Sequence, residues 1–204
     1  WYKLISHVVY DNNRKPQHVI GKLINVQKEM EERQNIEKKA QRDPLTGIYN
    51  RDGFQTEWDA IYEAMDERLP ITVAVMDFDS FKGVNDTLGH AGGDAALKLL
   101  AATLSEIFNR NAIVSRCGGD EFMLCVYKTE EEKVRELLDK LIRTMDRTFT
   151  YQNLTRKISI SVGAVLAKEK VGFEILYEEA DKALYDTKEH GKNGYRLVQH
   201  LEEI

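Results

Sequence analysis

Several features of secreted, membrane-spanning or nucleic-acid-coating chains are scarce or missing here. Only two cysteines, Cys117 and Cys125, occur in 204 residues. Neither has a second Cys or a His at metal-ligand spacing, so both are read as core-packing residues in a reducing compartment. No apolar run approaches the ~20 residues that cross a bilayer. No charged-then-apolar leader is present either, so the polypeptide is expected to be soluble and cytoplasmic, without membrane contact of its own. An upstream membrane anchor in a longer protein is left open. An excess of positive charge is also absent, since Lys+Arg 29 against Asp+Glu 34 leaves −5. That balance does not favour binding to nucleic acid phosphate, and no nucleic acid partner is expected.

What is present suffices for one domain with a full core plus extra segments: 42% of residues are hydrophobic and 31% charged. The first residue is Trp1 rather than Met, which is read as a piece of something longer. Residues 1–26 hold two β-rich runs around the turn-like Asp11-Asn12-Asn13-Arg14-Lys15-Pro16 and are expected to form a hairpin. Such a hairpin is marginal without partner strands. Residues 27–42 are dense in Glu, Lys, Arg and Gln, with only Val26, Met30, Ile36 and Ala40 as a thin apolar stripe. They read as a helix, compatible with a short parallel coiled coil or a solvated connector.

Pro44 ends that helix, because the residue before a proline is pushed out of the α region. Helical spacing follows from Asp52 to Arg68, and Pro70 closes it. Ile71 to Met76 is a nearly continuous apolar run, expected of a buried central strand. The strand delivers Asp77 and Asp79, which would share a face if it continued through both. Phe81 to Asp94 reads as a polar loop with four glycines, and Ala95 to Phe108 as an apolar helix. In that loop Asn85 and Asp94 offer an amide and a carboxylate suited to a base edge; Asp94 could equally cap the next helix.

Ala112 to Tyr127 then reads as a hairpin with Gly118-Gly119-Asp120-Glu121 at its tip. Alone, such a tip is either a solvated glycine turn or part of a site. Carboxylates from two strand ends, Asp77 and Asp120, are what a divalent metal takes. Thr129 is read as the cap of a helix through Met145, Lys157 to Val165 as an alternating strand, and Phe173 to His190 as a helix with Ile175 and Tyr185 inward. Tyr195 to Val198 is a last strand. The order implies an α/β (α+β) fold, a mixed sheet covered by helices.

Together, Asp43 to Arg51, Asp77 to Asp94, Arg116 to Phe122 and Ala180 to Asn193 resemble the GGDEF family of diguanylate cyclases. The resemblance implies a mainly antiparallel sheet similar to the palm of nucleotide polymerases. The hairpin at 1–26 separately resembles the last two strands of a PAS sensor domain, or is an accessory hairpin; 27–42 is then a signalling helix, and 43–204 the cyclase domain that the GGDEF resemblance implies. The GGDEF resemblance also implies condensation of two GTP into cyclic di-GMP and two pyrophosphates across a two-fold homodimer, under an upstream sensor. Asp77, Asp120 and the Phe78 carbonyl would hold Mg²⁺ or Mn²⁺, with Glu121 as a further ligand or as base at the 3′-hydroxyl. Gly118 and Gly119 would leave room for the nucleotide. Asn85 and Asp94 would read guanine, and Lys82, Lys188 and Lys192 would contact the triphosphate. The Arg-x-x-Asp product-inhibition motif is absent, its positions reading Asn109-Arg110-Asn111-Ala112. A catalytically silent module that binds GTP or a partner is the alternative.

Overall fold

The computed structural model describes residues 1–11, 14–66 and 68–201. Positions 12, 13, 67 and 202–204 and the side chains of residues 17 and 33–38 lie outside the described residues, and with them part of the expected turn and the Ile36 position of the apolar stripe. Contacts divide the chain into Trp1–Ala40 and Gln41–Ile204. The first unit pairs β1 (Tyr2–Tyr10) antiparallel with β2 (Pro16–Asn25), followed by α1 (Gln27–Ala40). Alternation puts Tyr2, Leu4, Val8, Tyr10, Val19 and Leu23 on one face of this ribbon, and all are exposed.

The second unit is a five-stranded sheet in the order β4 (Ala112–Gly118), β5 (Glu121–Tyr127), β3 (Ile71–Phe78), β8 (Ile160–Ala167), β9 (Gly194–Gln199). All neighbours are antiparallel except β8 and β9. The mixed, mainly antiparallel sheet under helices is therefore the observed architecture. Ala74, Met76 and Phe78 of β3 join one core cluster, with α3 (Phe81–Ile107) and α4 (Glu131–Met145). Ile71, Val73 and Val75 join the other, with α2 (Arg51–Ala64) and α5 (Phe173–Glu189). Burial on both faces is why β3 reads as an unbroken apolar run.

The stretch from Phe81 to Asp94 is helix rather than loop. Val84 and Leu88 bury at helical spacing, and three of its four glycines serve packing. A Cβ at Gly83, Gly92 or Gly93 would meet Arg156, Leu88 or Asn85 at 2.0–2.4 Å. Only Gly89, at φ 71 and ψ 168, leaves helical geometry and bends α3. A further ribbon pairs β6 (Arg147–Tyr151) with β7 (Leu154–Ile158); the sequence of Arg147 to Tyr151 alternates as a strand does, and Gln152 turns at φ 53. The strand expected from Lys157 to Val165 is two strands broken at Ser159. Glu130, not Thr129, occupies the N-cap position of α4, without a side-chain cap bond; the Thr129 hydroxyl donates to the Tyr127 carbonyl at 3.0 Å. α2 stops at Ala64, short of Arg68, and Ile175 and Tyr185 of α5 are exposed.

Gly163 sets how closely α5 lies on the sheet. A Cβ there would stand 2.0 Å from the Leu184 nitrogen and 2.1 Å from the Ala180 carbonyl oxygen, both backbone atoms that cannot swing away. Gly163→Ala is expected to cost about 3 kcal/mol, the upper end of overpacking penalties, read as a thermal midpoint lower by roughly 6–12 °C. A midpoint within error of wild type would show that α5 can shift outward freely.

Candidate active site

The site grows from strand register. Asp77 is the last residue of β3 paired on both sides, opposite Glu121 on β5 and Ser161 on β8. Residues directly across a strand pair share a face, so all three lie on the α2/α5 side of the sheet. Gly163, two residues along β8 from Ser161, lets α5 approach, and Lys188 near the end of α5 binds Asp77 Oδ2. Asp77 Oδ1 is buried with no hydrogen-bond partner among the described residues. Burial raises the Asp77 carboxyl above the ordinary carboxylate value; Lys188 opposes this, while repulsion from Asp120 and Asp79 adds to it.

The β4–β5 turn presents Asp120 and the exposed Glu121. Gly118 at φ 153 and Gly119 at φ 50 occupy backbone regions that other residues resist, and open space lies where their Cβ atoms would be. Arg116 holds this turn from behind. Its Nε and Nη2 donate to the Gly119 carbonyl at 2.9 and 2.7 Å, and Nη1 donates to both Asp43 oxygens at 3.1 and 3.0 Å. Burial works against the Asp43 charge, yet Thr46 and Arg116 together pull its carboxyl below the usual value. Tyr49 joins the same strap: its N–H donates to the Val114 carbonyl at 3.2 Å, and its carbonyl accepts from Arg116 N–H at 2.9 Å. Arg116 and Asp43 were visible only as motif edge and turn former, because their partnership spans the chain.

Asp79 is not a second strand carboxylate, although it lies close enough to Asp77 to repel it. The strand ends at Phe78, and Asp79 instead accepts from the Ser159 and Ser161 hydroxyls, each at 2.6 Å, and from Asn193 N–H at 2.9 Å. It thus ties the turn after α5 to the end of β3. Lys192 belongs to that turn at φ 62, beyond the end of α5 at Glu189, so Lys188 and Lys192 do not share a helix face. Lys82 is exposed in the first turn of α3, whose start carries no side-chain cap. Asn85 precedes the bend at Gly89 and Asp94 follows it; the Asn85 Oδ1 lies against Gly93, adjacent to Asp94.

Among the described residues no three His, Cys, Asp or Glu side chains gather at one point. Asp77 and Asp120 nevertheless fit a hard divalent cation such as Mg²⁺ or Mn²⁺. The orphaned Asp77 oxygen and the mutual repulsion of the two carboxylates favour a cation between them.

The sequence profile described as "Diguanylate cyclase, GGDEF domain" matches residues 40–194. The chain belongs to the GGDEF family. It is similar to DgcT of Escherichia coli (strain K12), named a probable diguanylate cyclase, at 35% identity over 159 residues, 76% of this chain and 35% of that protein. Diguanylate cyclase DgcS of Shewanella oneidensis is 32% identical over 165 residues, 80% of this chain and 55% of that protein. This GGDEF chain therefore spans between about a third and just over half the length of these relatives. Among solved structures, the coiled coil and GGDEF domain of DgcB from Caulobacter crescentus in complex with c-di-GMP is 28% identical. The match has a TM-score of 0.77 and covers 86% of this chain and 93% of that one.

Folding raises the Asp77 carboxyl, so the folded state holds that proton more tightly than the unfolded chain. The stabilising contribution is full below the unfolded pKa and is lost as pH rises through the folded one. Without metal or nucleotide, Asp77→Asn should therefore melt above wild type at neutral pH, the gap closing near pH ~4 where unfolded Asp titrates. A variant melting lower at neutral pH would mean that the Lys188 pairing outweighs burial.

Proposed function

We propose that this GGDEF domain is a diguanylate cyclase, condensing two GTP into cyclic di-GMP with release of two pyrophosphates. The observation that carries the reading is the register placing Asp77 opposite Glu121, with Asp120 at the adjoining tip and Lys188 on Asp77. β3, β5, their adjoining turn and α5 each bring one of these charged residues to the same end of the sheet.

The assignments follow from what each group can do. Asp77 and Asp120, with the Phe78 carbonyl, would hold Mg²⁺ or Mn²⁺. When bound, that cation supplies Lewis-acid stabilisation of phosphate charge and lowers the pKa of a coordinated hydroxyl. The uncapped start of α3 and Lys82 offer N–H groups and positive charge to phosphate oxygens. Lys188 holds Asp77 in the ligand-free protein and would exchange it for phosphate; Lys192, on the turn anchored by Asp79, adds a second cation. Open space over Gly118 and Gly119 admits the nucleotide. Asn85 and Asp94 read the base, Asp94 accepting from guanine N1–H and the exocyclic amine.

In each half-reaction the 3′-oxygen of one GTP bonds to the α-phosphorus of the other, and the bond to the bridging oxygen of pyrophosphate breaks. Glu121 either takes the hydroxyl proton or serves as a further ligand, the proton then passing to solvent water. Because each domain holds one GTP, two domains must face each other, so a homodimer is required. Within that scheme 1–26 is the end of a sensor, 27–42 a signalling helix that sets the encounter, and 43–204 the catalytic domain.

Incubating the protein with GTP and Mg²⁺ and assaying by mass spectrometry should give cyclic di-GMP, with Asp120→Ala reduced to background. Absence of product from dimeric wild type would favour a silent GTP-binding relay instead. Added cyclic di-GMP should leave the initial rate unchanged, because Asn109 and Ala112 replace the Arg and Asp of the inhibitory motif. Strong inhibition abolished by Arg110→Ala would contradict that.

A further inference from the structure

The β6–β7 ribbon has no part in the chemistry above, yet it touches α3 on both sides of its bend. By register Phe149, Tyr151, Arg156 and Ile158 share one face of the ribbon. Arg156 lies across Gly83, where a Cβ would stand 2.4 Å from its Nη2. Its Nη1 donates to the Thr87 hydroxyl at 2.9 Å, and that hydroxyl donates to the Gly83 carbonyl at 2.9 Å. Tyr151 lies against Gly92, its Cδ1 3.3 Å from where a Cβ would be. Gly83 and Thr87 precede Gly89; Gly92 follows it.

Gly89 is the non-helical residue inside α3, and glycine gives that joint little stiffness of its own. The two polar groups assigned to the base sit on opposite arms, Asn85 before the joint and Asp94 after it. Their separation is therefore a property of the bend. Asn85 against Gly93 stops the arms from one side, and Arg156 with Tyr151 holds them from the ribbon.

We propose that the β6–β7 ribbon is a brace that sets guanine recognition, with Arg156 and Tyr151 as positioning residues acting through the two arms of α3. The proposal rests on the reading of Asn85 and Asp94 as the base-reading pair. Hydrogen bonding to a base edge tolerates only small displacement, whereas phosphate attraction by cations is forgiving of it. Loosening the brace should therefore weaken base recognition and spare phosphate binding.

The test is calorimetric binding, in Mg²⁺, of non-reactive α,β-methylene triphosphates of guanosine and of inosine, which lacks the exocyclic amine. Wild type, Asp94→Ala, Arg156→Met and Thr87→Val are compared as full chains. Thr87→Val removes the acceptor for Arg156, together with the hydroxyl's own bond to the Gly83 carbonyl, and leaves the ribbon's residues unchanged, guarding against misfolding. Wild type should prefer guanosine, and Asp94→Ala should bring the two affinities together. Arg156→Met and Thr87→Val should each weaken guanosine binding about five- to tenfold, the scale of one hydrogen bond, and inosine binding, which keeps the N1–H contact but has no amine to lose, by a smaller factor. If both variants lower the two affinities equally, or change neither, while Asp94→Ala removes the preference, the brace is wrong and base reading stands. If Asp94→Ala leaves the preference intact, base reading fails and the brace falls with it.

Discussion

A carboxylate at the end of a strand buried on both faces is the constraint around which this domain is arranged. β3 runs through the middle of the sheet with a core cluster above and below it, and Asp77 sits where that cover runs out. Half-buried, with one oxygen on Lys188 and the other unsatisfied, it is a poor resting place for a negative charge and a good one for a cation. The stability the protein forgoes there is a common feature of functional sites. Other details follow from delivering partners to that point: Gly163 brings α5 down onto the sheet, and Asp79 draws the turn carrying Lys192 inward.

The hairpin tip is held with equal care from behind. Arg116 grips the Gly119 carbonyl with one part of its guanidinium and the Asp43 carboxylate with another, a forked geometry that lysine could not reproduce. Asp43 lies three residues beyond the boundary of the first unit, so the segment that begins the second unit is bonded directly to the turn bearing Asp120. A sensor acting through that segment would have a short covalent and ionic route to the tip.

Much of this was legible in the residues. The apolar run before Asp77 marked a doubly covered strand, and the glycine pair before Asp120 and Glu121 marked a turn that only glycine accommodates. Both signals are local. What escaped was non-local or disguised. Four glycines between Phe81 and Asp94 looked like a loop because glycine is poor in helices, but three of them are there to admit neighbouring side chains. The β6–β7 ribbon alternates as a strand pair should, yet only the end of β7, Lys157 and Ile158, falls within an expected strand, joined there to the run that follows. The pairing of Arg116 with Asp43, and the diversion of Asp79 to Ser159, Ser161 and Asn193, depend on residues that meet only after folding.

The central claim is that this strand end is half of an active site completed by a second copy. Turnover per chain, measured with GTP and Mg²⁺ over a wide range of protein concentration beside light scattering, tests it most directly. The account predicts that turnover per chain rises with concentration and levels off as the dimer forms. Cyclic di-GMP made at a constant rate per chain where scattering reports only monomer would contradict it.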